Sequence, residues 1–159
     1  MIVATSGERS TGPGQTGEVY IIFGNNATSD ATFDLTSLDG SNGFVISGDQ
    51  YVGGFGWGGA KAIGDNNGDQ IDDIVIGAPY IDSNDISGSG ESYVIFGSNA
   101  GFTDRIELSS LDGINGYKIY GAGSNDFLGY SVDGAGDING DGIEDIVVGA
   151  TYGLSLIHI

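Results

Sequence analysis

"GDNNGDQIDDIVIGAP", residues 64–79, crowds four aspartates and two asparagines into positions 65–73 and then turns at once into an apolar run. Counted from Asp65, oxygen-bearing side chains fall at positions 1, 3, 5 and 9: Asp65, Asn67, Asp69 and Asp73. Position 7 is Ile71, whose backbone carbonyl is available as a donor. Odd-numbered spacing in a tight loop turns alternate oxygens toward a common centre. Carboxylates held that close repel one another strongly unless a cation lies among them. An all-oxygen donor set with no Cys or His nearby selects a hard, flexibly coordinated ion, Ca²⁺ in preference to Zn²⁺ or Cu²⁺.

The stretch occurs twice. "GDINGDGIEDIVVGA" at 136–150 repeats 64–78 at an offset of 72, and sets Asp137, Asn139, Asp141, the Ile143 carbonyl and Asp145 in the same register. Two Ca²⁺ sites are therefore expected. The 1-3-5-7 start resembles an EF-hand, but position 12 carries no glutamate and a strand follows where an EF-hand has a helix. The competing reading is a solvated hairpin, because Asp, Asn and Gly are turn residues in their own right. Two copies in one register weigh against it. The copies differ at position 6, Gln70 against Gly142. If that position is left-handed, Gln costs about 1 kcal/mol relative to Gly, which makes the first site the weaker.

Other blocks recur as well. "GEVYIIFG" at 17–24 returns as "GESYVIFG" at 90–97, and "LTSLDGSNGFVISG" at 35–48 as "LSSLDGINGYKIYG" at 108–121, both offset by 73. "MIV" at 1–3 falls where "IVI" at 74–76 lies one period later, so the sequence is expected to begin and end within a repeat. Each period reads as four short strands. "DIVIGAP" and "DIVVGAT" are continuous apolar runs, expected to be strands covered on both faces. "FGWGGAKAIG" and "FLGYSVDGAG" read as glycine-rich strands, where glycine marks close backbone approach. No helical period persists over a useful window. Four strands in about 72 residues suits an all-β fold of β-propeller blades, each of four antiparallel strands.

Composition narrows the function. The chain of 159 residues carries 22 acidic and 4 basic side chains, a net charge of -18. That disfavours nucleic acid, whose affinity rests on Lys and Arg at phosphates, and an anionic membrane surface. It favours metal cations or solubility in salt. The 31 glycines follow no every-third period, which excludes collagen. There are no cysteines, hence no disulfides or thiolate metal sites. No apolar stretch approaches the roughly 20 residues of a membrane-spanning helix. The N-terminal "MIVATSGERS" has neither the basic start nor the apolar block of a signal peptide.

"FGWGGAKAIGDNNGDQIDDIVIGAP" resembles the FG-GAP repeat of the integrin α-subunit β-propeller and of many bacterial surface proteins. Phe55-Gly56 stands for the "FG" and Gly77-Ala78-Pro79 for the "GAP". In the second copy Phe127 is followed by Leu128, and the last element reads Gly149-Ala150-Thr151. The resemblance covers residues 1–153 and implies a partial propeller with one complete blade and parts of two others. Residues 1–48 would supply the last three strands of a preceding blade, 49–121 a complete blade, and 122–153 the first two strands of a following blade. Residues 154–159, "LSLIHI", are a discordant tail. The implied setting is extracellular or on the cell surface, in a structural or adhesive role. The implied partners are a protein or glycan ligand on the loop face and the remaining blades of a parent protein.

Catalysis finds little support. The single histidine, His158, lies in the discordant tail, and paired carboxylates occur only inside the two acidic loops. No catalytic residue is assigned and the chain is read as a non-enzyme. Two alternatives stay open: a non-catalytic propeller portion of an extracellular hydrolase or lyase, and a sugar-binding lectin-like propeller. Phe55, Trp57, Phe127 and Tyr130 are either packing between blades or a stacking surface for a ligand, with packing preferred. Asp82 and Asp85, in the polar link "YIDSNDISGSGES" at 80–92, are either loop residues or ligand contacts. The long links at 24–42 and 97–115 are expected to cross the outer edge of a blade, the first through Phe33, Leu35 and Leu38.

Overall fold

The computed structural model describes residues 2–5 (backbone), 17–24, 32–48 and 54–151. The tail with His158 and the division expected at 48/49 lie largely outside them. Ten strands follow in chain order: β1 (Ile2–Thr5), β2 (Glu18–Ile22), β3 (Gly43–Ser47), β4 (Ala60–Gly64), β5 (Asp73–Ala78), β6 (Glu91–Ile95), β7 (Arg105–Glu107), β8 (Gly116–Tyr120), β9 (Leu128–Gly136) and β10 (Asp145–Ala150). Two 3-10 turns, Leu35–Ser37 and Leu108–Ser110, are the only helical elements among the described residues. The chain is all-β, with blade-like antiparallel sheets.

Three sheets form, ordered β1-β2-β3-β7, β4-β5-β6-β8 and β9-β10. The middle sheet is antiparallel throughout. Its strands explain why their sequences do not alternate. On β5 and β6, Ile76, Ala78, Tyr93 and Ile95 pack against Val19, Ile21, Phe44 and Ile46 of the first sheet. Their chain neighbours Val75 and Val94 point the other way, onto Val132, Ile146 and Val148 of the third. A strand with neighbours on both faces buries every residue, so its sequence is apolar throughout. "DIVVGAT" does not share this fate. On β10, Val147 is 53% exposed, because one face of the two-stranded sheet is uncovered among the described residues.

The sheets approach most closely through glycine. A Cβ on Gly58 or on Gly77 would overlap the carbonyl oxygen of Gly129, so the β9 backbone rests directly on the turn before β4 and on β5. Gly77 has no left-handed φ, and the penalty for a side chain there is purely steric. Gly77→Ala is therefore expected to destabilise the protein by about 1–3 kcal/mol, as overpacking does. Urea denaturation measures this, and an unchanged midpoint would refute the close approach.

The stretch expected as one strand, "FGWGGAKAIG", divides. Residues 54–58 form a turn and β4 starts only at Ala60. Gly54, Gly56 and Gly59 have φ of 83°, 76° and 86°, and three left-handed residues within six positions turn the chain where a strand would run straight. The turn is tied back to β5: Gly56 N donates to Gly77 O and Gly77 N to Gly59 O, both at 3.0 Å.

One strand was absent from the sequence reading. β7, inside the link at 97–115, pairs in parallel with β3 of the first sheet, Ile46 facing Ile106. Phe102 stacks on Phe44 with ring centroids 4.2 Å apart, and Phe23 packs edge-on to Phe44. Arg105 Nη1 pairs with Glu18 at 2.9 Å and also donates to Ser47 Oγ. That ion pair is partly solvated and contributes modestly; the strand and the rings hold the seam. The link therefore straps one blade-like sheet to its neighbour. The corresponding link at 24–42 behaves differently from expectation: Leu38 is buried and Leu35 half-buried, but Phe33 is 46% exposed.

Candidate metal centre

The two acidic loops join β4 to β5 and β9 to β10. Each winds around its first aspartate. Asp65 Oδ1 accepts from Gly68 N (2.6 Å) and Asp69 N (3.0 Å), and its Oδ2 from Gln70 N (2.7 Å). Asp137 Oδ1 accepts from Gly140 N (2.7 Å) and Asp141 N (3.1 Å), and its Oδ2 from Gly142 N (2.8 Å). Asn67 and Asn139 each receive the amide of the next odd residue and donate Nδ2 to its carboxylate. Ile71 N and Ile143 N donate to Asp69 and Asp141, both at 2.9 Å. The side chains at positions 1, 3 and 5 thus fix the curl of the loop.

Position 6 is left-handed in both copies, Gln70 at φ 69° and Gly142 at φ 86°. The first loop therefore carries a strain that the second does not.

Electrostatics separate the carboxylates. Burial pushes Asp65 upward, but the amides of Gln70, Gly68 and Asp69 outweigh it and hold the carboxyl below its ordinary range. Asp137 is held low chiefly by the Gly142 amide, with Gly140 and Asp141 adding to it. Asp73 is different: it is fully buried at the start of β5. Burial pushes its carboxyl above the ordinary range and the charges of Asp69 and Asp65 add to that, against the pull of two amides, Gly97 N at 2.7 Å and Asn66 N at 2.9 Å. Asp145, at the same position of the second loop, accepts from Ile138 N at 2.9 Å and is only half-buried.

Among the described residues no three His, Cys, Asp or Glu side chains gather into a ready-made metal-holding group. Asp65, Asn67, Asp69 and Asp73 share one loop, and Asp137, Asn139, Asp141 and Asp145 the other, with their oxygens engaged largely by the loop's own amides. The donor chemistry nonetheless fits a hard divalent cation. Every donor is oxygen, the amides hold the first aspartate below its ordinary range, and Asp73, raised chiefly by burial, faces smaller added repulsion from Asp69 and Asp65.

Sequence reasoning missed the partners of these loops. Asn66 Nδ2 donates to Glu144 O (2.6 Å), Glu144 N to Asp65 O (2.9 Å), and Tyr117 Oη to Asn66 Oδ1 (2.7 Å), so the two loops are joined. A difference at position 2, Asn66 against Ile138, was visible; its meaning depends on a residue in the next sheet. Elsewhere, Phe55 is fully buried against Tyr93. Trp57 is 50% exposed and lies edge-on to Tyr80, which in turn meets Phe127. Tyr130 is 47% exposed. Asp82 Oδ1 accepts from Gly88 N at 2.6 Å, closing its own link, while Asp85 is exposed at φ 63°.

Residues 128–155, which span the β9–loop–β10 hairpin, match the FG-GAP repeat family. This chain carries an FG-GAP repeat. The FG-GAP chain is 32% identical over 152 residues to the phosphatidylinositol-glycan-specific phospholipase D of Bos taurus, covering 96% of the chain and 17% of that protein. It is 37% identical over 106 residues to integrin alpha pat-2 of Caenorhabditis elegans, covering 67% of the chain and 8% of the integrin. It is 33% identical over 144 residues to integrin alpha-E of Mus musculus, covering 86% and 11%. The FG-GAP chain thus spans less than a fifth of the length of each of these relatives.

Proposed function

We propose that the chain is a calcium-stabilised FG-GAP propeller segment of a secreted or cell-surface protein, with a structural and adhesive role. The supporting observation is that one hydrogen-bond scheme is built twice, around Asp65 and around Asp137, with Asp73 buried against the charge of its own loop. In the first site Asp65, Asn67, Asp69, the Ile71 carbonyl and Asp73 hold the ion; in the second Asp137, Asn139, Asp141, the Ile143 carbonyl and Asp145 do. Bound calcium supplies the positive charge that those carboxylates lack. The chain's own part is to curl the loop, keep the first aspartate ionised and anchor the hairpin to the sheet.

In this reading residues 49–121 form one complete blade, flanked by 1–48 and 122–153 as parts of two others. A protein or glycan ligand docks on the loop face, and further blades flank the segment. The likeness to the bovine phospholipase along nearly the whole chain favours one second reading, a non-catalytic propeller portion of an extracellular hydrolase.

Calorimetric titration with CaCl₂ tests the proposal. Two binding events are expected, the weaker at the loop carrying Gln70. Asp65→Ala should remove one and Asp137→Ala the other. Heat absent from the parent protein would overturn the proposal.

A further inference from the structure

The two acidic loops meet through residues that lie between their oxygen donors. In the second loop Glu144 stands between Ile143 and Asp145, whose oxygens are the last two donors of that site. Its backbone faces the first loop. Glu144 N donates to Asp65 O at 2.9 Å, and Glu144 O accepts from Asn66 Nδ2 at 2.6 Å. Asp65 is the first donor of its own site. The contact therefore joins the end of one loop to the start of the other, between residues 78 apart in sequence.

Asn66 is held from several directions. Tyr117 Oη, on β8, donates to Asn66 Oδ1 at 2.7 Å, so both ends of the side-chain amide are engaged. Asn66 N donates to Asp73 Oδ2 at 2.9 Å and so reaches the last donor of the first loop as well. The Glu144 side chain lies over the glycines that open both loops. Its Cγ is 2.7 Å from where a Cβ on Gly64 would stand, and its Oε2 is 3.8 Å from the same point on Gly136. At the position of Asn66 the second loop has Ile138, which is 77% exposed and has no polar side-chain atom. The loop curl does not require an amide there, so Asn66 serves the contact and not the curl.

A shared element of this kind couples two ligands. An ion in the second loop fixes Ile143 and Asp145, and with them Glu144. That steadies the Asp65 carbonyl and the Asn66 side chain, which an ion in the first loop would otherwise have to order itself. A ligand that meets an already rigidified protein loses less conformational freedom, and the effect is reciprocal. Repulsion between the two cations acts the other way. Asp69, Asp137 and Asp141 are exposed, however, and at physiological salt a Debye length of about 8 Å screens most of that repulsion. We propose that Asn66 and Glu144 couple the two loops, so that calcium in either one raises the affinity of the other; this rests on the calcium reading given above. Asn66 is a positioning residue and donates nothing to the ion.

Calorimetric titration of the full chain with CaCl₂ in physiological salt tests this. The parent is compared with Asp69→Ala, which leaves only the second site, and with Asp141→Ala, which leaves only the first. The two-ion association constant of the parent should exceed the product of the two single-site constants about tenfold, within the roughly 5–150-fold usual for coupled sites. Asn66→Ala, placed in all three proteins, should lower that factor about fivefold, the worth of one hydrogen bond, and leave each single-site constant within about twofold. Asn66→Ile, which installs the residue of the second loop, should do the same. A cooperative melt in chelator establishes that each variant folds. A factor of one or less in the parent overturns the coupling while leaving two calcium sites in place. A factor that survives both substitutions at Asn66 overturns it too, as do single-site constants that fall as far as the parent's, since Asn66 would then only support its own loop. A parent that takes up no calcium overturns the calcium reading itself, and the coupling with it.

Discussion

Stripping calcium from the protein with a chelator is expected to lower its melting midpoint by roughly 10–20 °C. A ligand that binds only the native state stabilises it by about 2.7 kcal/mol when its free concentration is a hundredfold above Kd, so two sites supply about 5 kcal/mol. For a chain of this size each kcal/mol moves the midpoint by about 2–4 °C. Two ions also reduce the formal charge from -18 to -14. Extracellular calcium modules bind at roughly 10⁻⁴ to 10⁻³ M, so a hundredfold excess is about 10–100 mM calcium; that concentration should restore the midpoint, millimolar calcium only part of it, and equimolar magnesium little. The combined Asp65→Ala, Asp137→Ala variant should melt at one temperature with or without calcium. A parent protein whose melt ignores the chelator would leave the acidic loops as plain turns.

The second large effect falls on Asp73 and does not need the metal. Asp73→Ala is expected to cost about 2–4 kcal/mol even in chelator. Its carboxylate is fully buried and accepts from Asn66 N and Gly97 N, so removal strands two backbone donors at about 1–3 kcal/mol each. Relief of the buried charge, whose carboxyl burial already pushes upward, returns part of that loss. Asp145→Ala removes a half-buried acceptor of the Ile138 amide and should cost only about 1 kcal/mol. Urea denaturation of both variants in chelator measures the contrast; equal losses would mean that position 9 has no special anchoring role in the first loop.

The asymmetry between those aspartates shows what a linear reading reaches. The loop register was legible because it is local: oxygen donors two residues apart, repeated at a fixed offset. Strands β5 and β6 were legible because sheets on both faces leave an unbroken apolar run. What Asp73 and Asn66 touch was not, since Gly97 and Glu144 arrive from other strands. The turn at 54–58 was hidden because its aromatic and glycine pattern suits a strand, and only the positive φ values separate the two. β7 was hidden because three residues, "RIE", carry no period and pair with a strand from the preceding repeat. β10 carries the same kind of apolar run, and among the described residues no sheet lies on the face where Val147 is exposed.

The strap formed by β7 also sets an order of events at the ribosome. β1, β2 and β3 are near neighbours in sequence and pair as soon as they are made. The outer edge of β3 stays open until Ile106 has emerged, after the whole β4–β5–β6 meander. Such a distant closure is slow, and an edge left open during synthesis invites pairing with other nascent chains. Translation that pauses between β6 and β7 should therefore yield more aggregate than a pause after β8.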